Sequence, residues 1–171
     1  MKRSYVQIYT GDGKGKTTAA AGLAARAAGR GLCGKFVQFL KGRDSGETAS
    51  LEKLGVELLR VSDCKKFFAD MTPQEKLAAR ESVVSALHVM EGWLDKADLL
   101  VLDEALGAVH CGILHEDEVL GLIERRGGTE LVLTGRNAPQ TLVGAAHLVT
   151  EMRLVKHYFA EGQTGRKGIE Y

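Results

Sequence analysis

Short apolar runs alternate along this chain with longer segments of helical character. Tyr5–Tyr9, Lys35–Leu40, Val56–Val61, Leu99–Leu102, Leu131–Leu133 and Leu148–Val149 have strand length. Several of these runs are unbroken by polar residues, the pattern of strands covered on both faces in a parallel sheet. Between them, Thr17–Gly31 is alanine-rich and stops at glycine, as a helix does. Thr72–Lys96 opens with Thr72 as a cap, Pro73 in the first position and Glu75 in the third, the signature of a capping box. Asp117–Arg126 and Pro139–Ala146 also read as helices. Strand and helix alternate, which predicts an α/β fold: a mainly parallel sheet with helices on both faces.

At 171 residues the chain is expected to form a single domain spanning 1–171. Composition narrows the possible functions. Lys plus Arg number 23 and Asp plus Glu 22, a net charge of +1, which argues against a general nucleic-acid binder. Any phosphate binding must therefore come from a local site. Cys33, Cys64 and Cys111 are widely spaced and form no CxxC pair, so reduced thiols are expected rather than a disulfide framework or structural zinc. The five histidines show no metal-ligand spacing. The N-terminus lacks the apolar core of a secretory signal, and no apolar run approaches the roughly 20 residues that span a bilayer. A cytoplasmic protein without membrane contact is the expectation. Glycine is the outlier, 21 residues against about 12 expected at average usage, and many of these glycines end apolar segments.

The densest glycine cluster is Thr10-Gly11-Asp12-Gly13-Lys14-Gly15-Lys16-Thr17-Thr18, between the first strand and the first helix. That context defines a phosphate-binding loop. Glycines let the backbone turn its N–H groups around an anion, and the helix N-terminus adds unpaired donors. Lys16 can reach phosphate oxygens, Lys14 supplies a second cation, and the Thr17 hydroxyl can ligate Mg²⁺. Counted from Gly11, the loop is one residue shorter than the usual pattern. Farther along, Asp98-Leu99-Leu100-Val101-Leu102-Asp103-Glu104 is an apolar strand ending in two carboxylates, placed to support a Mg²⁺ site. Neighbours on a strand face opposite ways, so one of Asp103 and Glu104 is expected at the ion while the other supports it.

Other candidates are weaker alone. Arg136, in the turn after the fifth apolar run, can meet phosphate or simply mark a surface turn. Phe67 and Phe68 can line a pocket for a flat ligand or pack in the core. The tail Gly162–Tyr171 can fold over a nucleotide, although fraying is the default for such a segment.

Thr10–Ala20, Val37-Gln38-Phe39-Leu40-Lys41-Gly42 and Leu102-Asp103-Glu104 together resemble the P-loop-type ATP:corrinoid adenosyltransferases. The resemblance continues through Leu133-Thr134-Gly135-Arg136-Asn137-Ala138-Pro139, Val149–Met152, Val155–His157 and Lys167–Tyr171, nearly the whole chain, and the short loop is part of it. It implies a P-loop NTPase architecture of the RecA-like kind. The implied reaction moves the 5′-deoxyadenosyl group of ATP to Co(I) of a corrinoid and releases triphosphate, with ATP reversed in the loop relative to ordinary NTPases. By position, Gly11, Asp12, Gly13, Lys14, Gly15, Lys16, Thr17 and Thr18 would hold the phosphates. Thr17 and Glu104 would hold Mg²⁺ with support from Asp103, and Lys16, Thr17 and Glu104 would be catalytic. Arg136 would contact the nucleotide, and Phe67 and Phe68 fall where the family places aromatics against the corrinoid. The implied partners are ATP, a reduced corrinoid, an electron donor for Co(II) and a second copy in a homodimer. Two other functions fit a P-loop alone, a small-molecule kinase and a nucleotide-gated switch. The kinase would release ADP instead of triphosphate.

Overall fold

The computed structural model describes residues 3–40, 45–61 and 70–170. Six strands, β1 (Val6–Thr10), β2 (Gly34–Gln38), β3 (Glu57–Arg60), β4 (Leu99–Asp103), β5 (Glu130–Thr134) and β6 (Leu148–Glu151), form one sheet in the order β3-β2-β4-β5-β1-β6. Every pairing is parallel. The helices are α1 (Lys16–Ala28), α2 (Gly46–Lys53), α3 (Pro73–Trp93), α4 (Ala105–His110), α5 (Glu116–Glu124) and α6 (Gln140–Ala145).

The unbroken apolar runs are explained by two cores, one on each face. Leu100 and Leu102 of β4 pack with Val83, Ala86 and Met90 of α3 and with Leu106, Val119 and Leu142 of the later helices. Leu99 and Val101 point the other way, onto Ala20, Ala24 and Ala27 of α1 and Leu51 of α2. The three alanines recur at helical spacing, and their small side chains let α1 lie close against the sheet. The capping box at α3 is formed as the sequence predicts. The Thr72 hydroxyl accepts from the Glu75 N–H at 3.2 Å, and the Glu75 carboxylate accepts from the Thr72 N–H at 2.7 Å.

Three expectations need correction. First, β6 is not covered on both faces: Leu148 and Val149 are 44% and 42% exposed on an edge strand. A run of two apolar residues cannot distinguish edge from interior. Second, α2 was not anticipated, because its sequence GETASLEK buries only Thr48 and Leu51 and so carries almost no apolar period. Third, α4 is a single short turn of helix right behind β4, hidden in an apolar stretch that continues the strand. Element ends also shift by a few residues: α3, for instance, stops at Trp93 rather than Lys96.

Candidate functional site: the phosphate loop and its cavity

The loop between β1 and α1 is built on two glycines with positive φ, Gly11 at 98° and Gly15 at 118°. It is stitched from outside to the chain leaving β6. The Gly13 N–H donates to the Met152 carbonyl at 2.7 Å, and the Met152 N–H donates to the Thr10 carbonyl at 2.8 Å. These bonds extend the β1–β6 ladder past the end of both strands and fix the arch. Gly15 caps α1 without a side chain, and the first turn of α1 carries no acid. By contrast, α5 has three acids in its first turn. A helix N-terminus without side-chain cap or first-turn acid favours an external anion.

Lys16, 7% exposed, curls back under the arch. Its Nζ donates to the carbonyls of Gly11 at 2.6 Å and Gly13 at 2.8 Å. Burial pulls its pKa down, the nearby Glu104 carboxylate opposes that, and the Arg136 charge adds to the lowering. An ammonium held by two neutral carbonyls has a stronger acceptor available whenever a phosphate oxygen comes within reach.

The acidic strand end sits beside it. Asp103 is fully buried, and its Oδ1 accepts from the Thr17 hydroxyl at 2.8 Å and the Thr134 hydroxyl at 2.7 Å. Thr134 Oγ1 in turn accepts from the Glu104 N–H at 2.9 Å. Asp103 therefore joins α1, β4 and β5 at one point. The strand stops there, and Glu104 takes a left-handed conformation, φ 58°, at the head of α4. The two carboxylates part as expected, with a different cause: a left-handed turn, rather than strand alternation, aims Glu104 at the cavity while Asp103 stays beneath.

The donor set suits Mg²⁺. With its proton committed to Asp103, the Thr17 oxygen presents lone pairs, and Glu104 adds a carboxylate on the same cavity. Among the described residues no group of three His, Cys, Asp or Glu could cage a metal. Mg²⁺ keeps much of its water and is usually bound by one or two protein oxygens plus phosphates, which fits this sparse set.

The cavity is about 840 Å³. One side is polar: Asp12, Gly13, Lys14, Gly15, Lys16, Thr17 and Thr18 with Glu104 and Arg136. The opposite side comes from the C-terminal segment, with Leu154, Phe159 and Ile169 each more than half exposed. His157, which falls within the resemblance, and Glu47 also line it; Glu47, Leu154 and Phe159 carry no sequence signal of a site. Phe67 and Phe68 lie outside the described residues, as does Cys64, while Cys33 and Cys111 are free thiols. Among the described residues no helix is long and apolar enough to cross a membrane.

A parallel sheet with a glycine loop feeding α1, a buried lysine under that loop, and an acid-tipped strand one place removed from β1 define a P-loop nucleotide-binding protein. Comparison with known proteins is more specific. Residues 2–171 match the family described as ATP:corrinoid adenosyltransferase BtuR/CobO/CobP, and the chain belongs to that family. A corrinoid adenosyltransferase of Pseudomonas aeruginosa is 36% identical to it, over 99% of this chain and 85% of the relative. The corrinoid adenosyltransferase CobA of Salmonella typhimurium is 35% identical, over 99% of this chain and 87% of its own length. A corrinoid adenosyltransferase of Escherichia coli is 34% identical at the same coverage.

Proposed function

We propose that this protein transfers the 5′-deoxyadenosyl group of ATP to the Co(I) centre of a corrinoid. Membership of the family across residues 2–171 carries the proposal. In the reaction a Co–C bond forms as the C5′–O bond of ATP breaks. Triphosphate leaves with the electron pair, and cobalt is oxidised formally from Co(I) to Co(III). The substrate must arrive reduced, so an external electron donor is required.

The residues divide the work. Backbone amides of Gly11 to Thr18 and the opening turn of α1 hold the polyphosphate. Lys16 exchanges its loop carbonyls for phosphate oxygens and meets the charge that grows as the C5′–O bond breaks. Thr17 and Glu104 would hold Mg²⁺, with Asp103 orienting Thr17 and, through Thr134, the Glu104 turn. Bound there, Mg²⁺ would offset the negative charge of the departing triphosphate. Arg136 adds a cation at the rim. The exposed Leu154, Phe159 and Ile169 offer an apolar surface toward a large flat substrate, the role also assigned to Phe67 and Phe68. A single domain over residues 1–171 belongs to this reading, supported by one sheet that takes strands from Val6 to Glu151. A homodimer in the cytoplasm is the assembly the family suggests, and light scattering checks the dimer.

The test is anaerobic incubation with ATP, Mg²⁺ and chemically reduced cobalamin, followed by visible spectroscopy. A light-sensitive Co–C product is expected, and Lys16→Ala should abolish it. Persistence of the Co(I) spectrum with the parent protein would overturn the proposal.

A further inference from the structure

The loop carries two lysines, and the chemistry above assigns a definite task to one. Lys14 lines the cavity, and the C-terminal segment comes back to meet it. Its Nζ donates to Glu170 Oε1 at 2.7 Å and to the Tyr158 hydroxyl at 2.7 Å, and lies 5.5 Å from the centre of the Tyr158 ring. The Tyr158 hydroxyl itself donates to Glu170. The same carboxylate accepts from the Arg166 backbone N–H at 2.7 Å and the Arg166 guanidinium at 3.2 Å, which rests 5.0 Å over the Tyr158 ring. Gly168, Ile169 and Glu170 form part of the cavity wall that faces the phosphate loop.

The cluster holds two cations around one carboxylate and so keeps one net positive charge at the cavity. Without the carboxylate, Lys14 and Arg166 would repel each other across the Tyr158 ring. The exposed segment from Gly162 onward would lose its bond to the loop.

We propose that Glu170 is a positioning residue that holds Lys14 toward the polyphosphate and fastens the C-terminal segment across the cavity, so that phosphate binding and closure of this segment are coupled. The inference rests on the reading of the loop as the phosphate site. The Arg166 side chain, then Lys14, Tyr158 and the Arg166 backbone N–H, donate to the Glu170 carboxylate and hold its pKa well below the ordinary carboxylate value. Tyr158 braces both lysine and carboxylate, which makes the cluster a clasp instead of a lone surface ion pair. A lone exposed pair would contribute little.

The probe is inorganic triphosphate with Mg²⁺, titrated calorimetrically into the full chain. Glu170→Gln and Lys14→Met should each weaken binding roughly tenfold, and the double variant should be little weaker than either, because they share one interaction. Trypsin supplies a readout that a merely structural role would not move. Triphosphate should slow cleavage after Arg166 and Lys167 in the parent protein and leave it unchanged in Glu170→Gln. Parent-like or tighter triphosphate binding by Glu170→Gln, or cleavage indifferent to triphosphate in the parent, overturns the clasp while the phosphate site stands. Failure of the parent itself to bind triphosphate overturns both.

Discussion

Replacing Gly13 with alanine tests the stitch between the phosphate loop and the chain after β6. Gly13 is outside the left-handed region, so the substitution brings no penalty from a positive φ and isolates the contact. A methyl at this position would stand 2.7 Å from the Met152 carbonyl oxygen and 2.9 Å from the backbone of Arg153. Carbon and oxygen prefer separations more than half an ångström longer, and both opposing atoms are backbone, which cannot swing aside as a side chain can. Either the loop lifts off and strains the 2.7 Å bond from Gly13 to Met152, or the strand end moves. Overpacking of this kind costs about 2 kcal/mol, and at this chain length it lowers the melting temperature by about 4–8 °C. Gly22→Ala is the matched control. Gly22 lies in α1 with nothing within 4 Å of an added methyl, so alanine should stabilise the helix by about 1 kcal/mol. Thermal melts of the three proteins, with triphosphate titrations beside them, should show opposite shifts and weaker triphosphate binding for Gly13→Ala alone. A Gly13→Ala protein with the parent's melting temperature and affinity would refute the stitched-loop reasoning.

Asp103→Asn keeps the volume and one carbonyl acceptor but loses the charge behind Thr17. It should weaken Mg²⁺ binding about 10- to 100-fold, measured by Mg²⁺ titration of adenosyl transfer, with little change in fold by circular dichroism. Glu104→Gln should raise the Mg²⁺ requirement, read by Mg²⁺ titration of adenosyl transfer, because Glu104 lines the cavity beside Thr17. Away from the site, Arg80 of α3 donates twice to Glu118 of α5, at 2.7 and 2.6 Å, and also to the Ile113 carbonyl. That partly buried bidentate pair, tied to the loop before α5, should make Glu118→Gln less stable by about 1–2 kcal/mol at pH 7. Hydrogen bonding from Arg80 holds the Glu118 carboxyl below its ordinary value of 4.5. The contribution is therefore complete above that value and fades as acid takes the pH down through the lowered one. Denaturant melts across this range should show the gap between parent and variant closing in acid, and a gap independent of pH would contradict the assignment.

How much of this was legible in the sequence depended on distance along the chain. The loop Gly11–Thr18 was readable because its strand, glycines and helix are contiguous. The α3 cap was readable because Thr72 and Glu75 are three residues apart. The partition of β4 side chains between two cores follows from strand alternation, so the sheet class was visible as well. The Thr17–Asp103 bond joins residues 86 apart; the resemblance put Asp103 in the supporting place, but local spacing alone does not say which carboxylate lies beneath the threonine. The left-handed turn at Glu104 settles it, and glutamate is not a residue whose presence announces such a turn. Lys14 and Glu170 are 156 apart, and a tail rich in glycine and charge ordinarily frays. Its return to the loop depends on Tyr158 and Arg166 arriving together, which only the fold arranges. The helix α2 escaped notice because it buries two side chains, too few to imprint a period.

The most direct measurement of the central claim is ³¹P NMR of a single-turnover reaction with ATP, Mg²⁺ and reduced cobalamin. Triphosphate is expected in one-to-one ratio with the Co–C product, and neither in Lys16→Ala. ADP as the phosphorus product, with cobalamin unchanged, would contradict it.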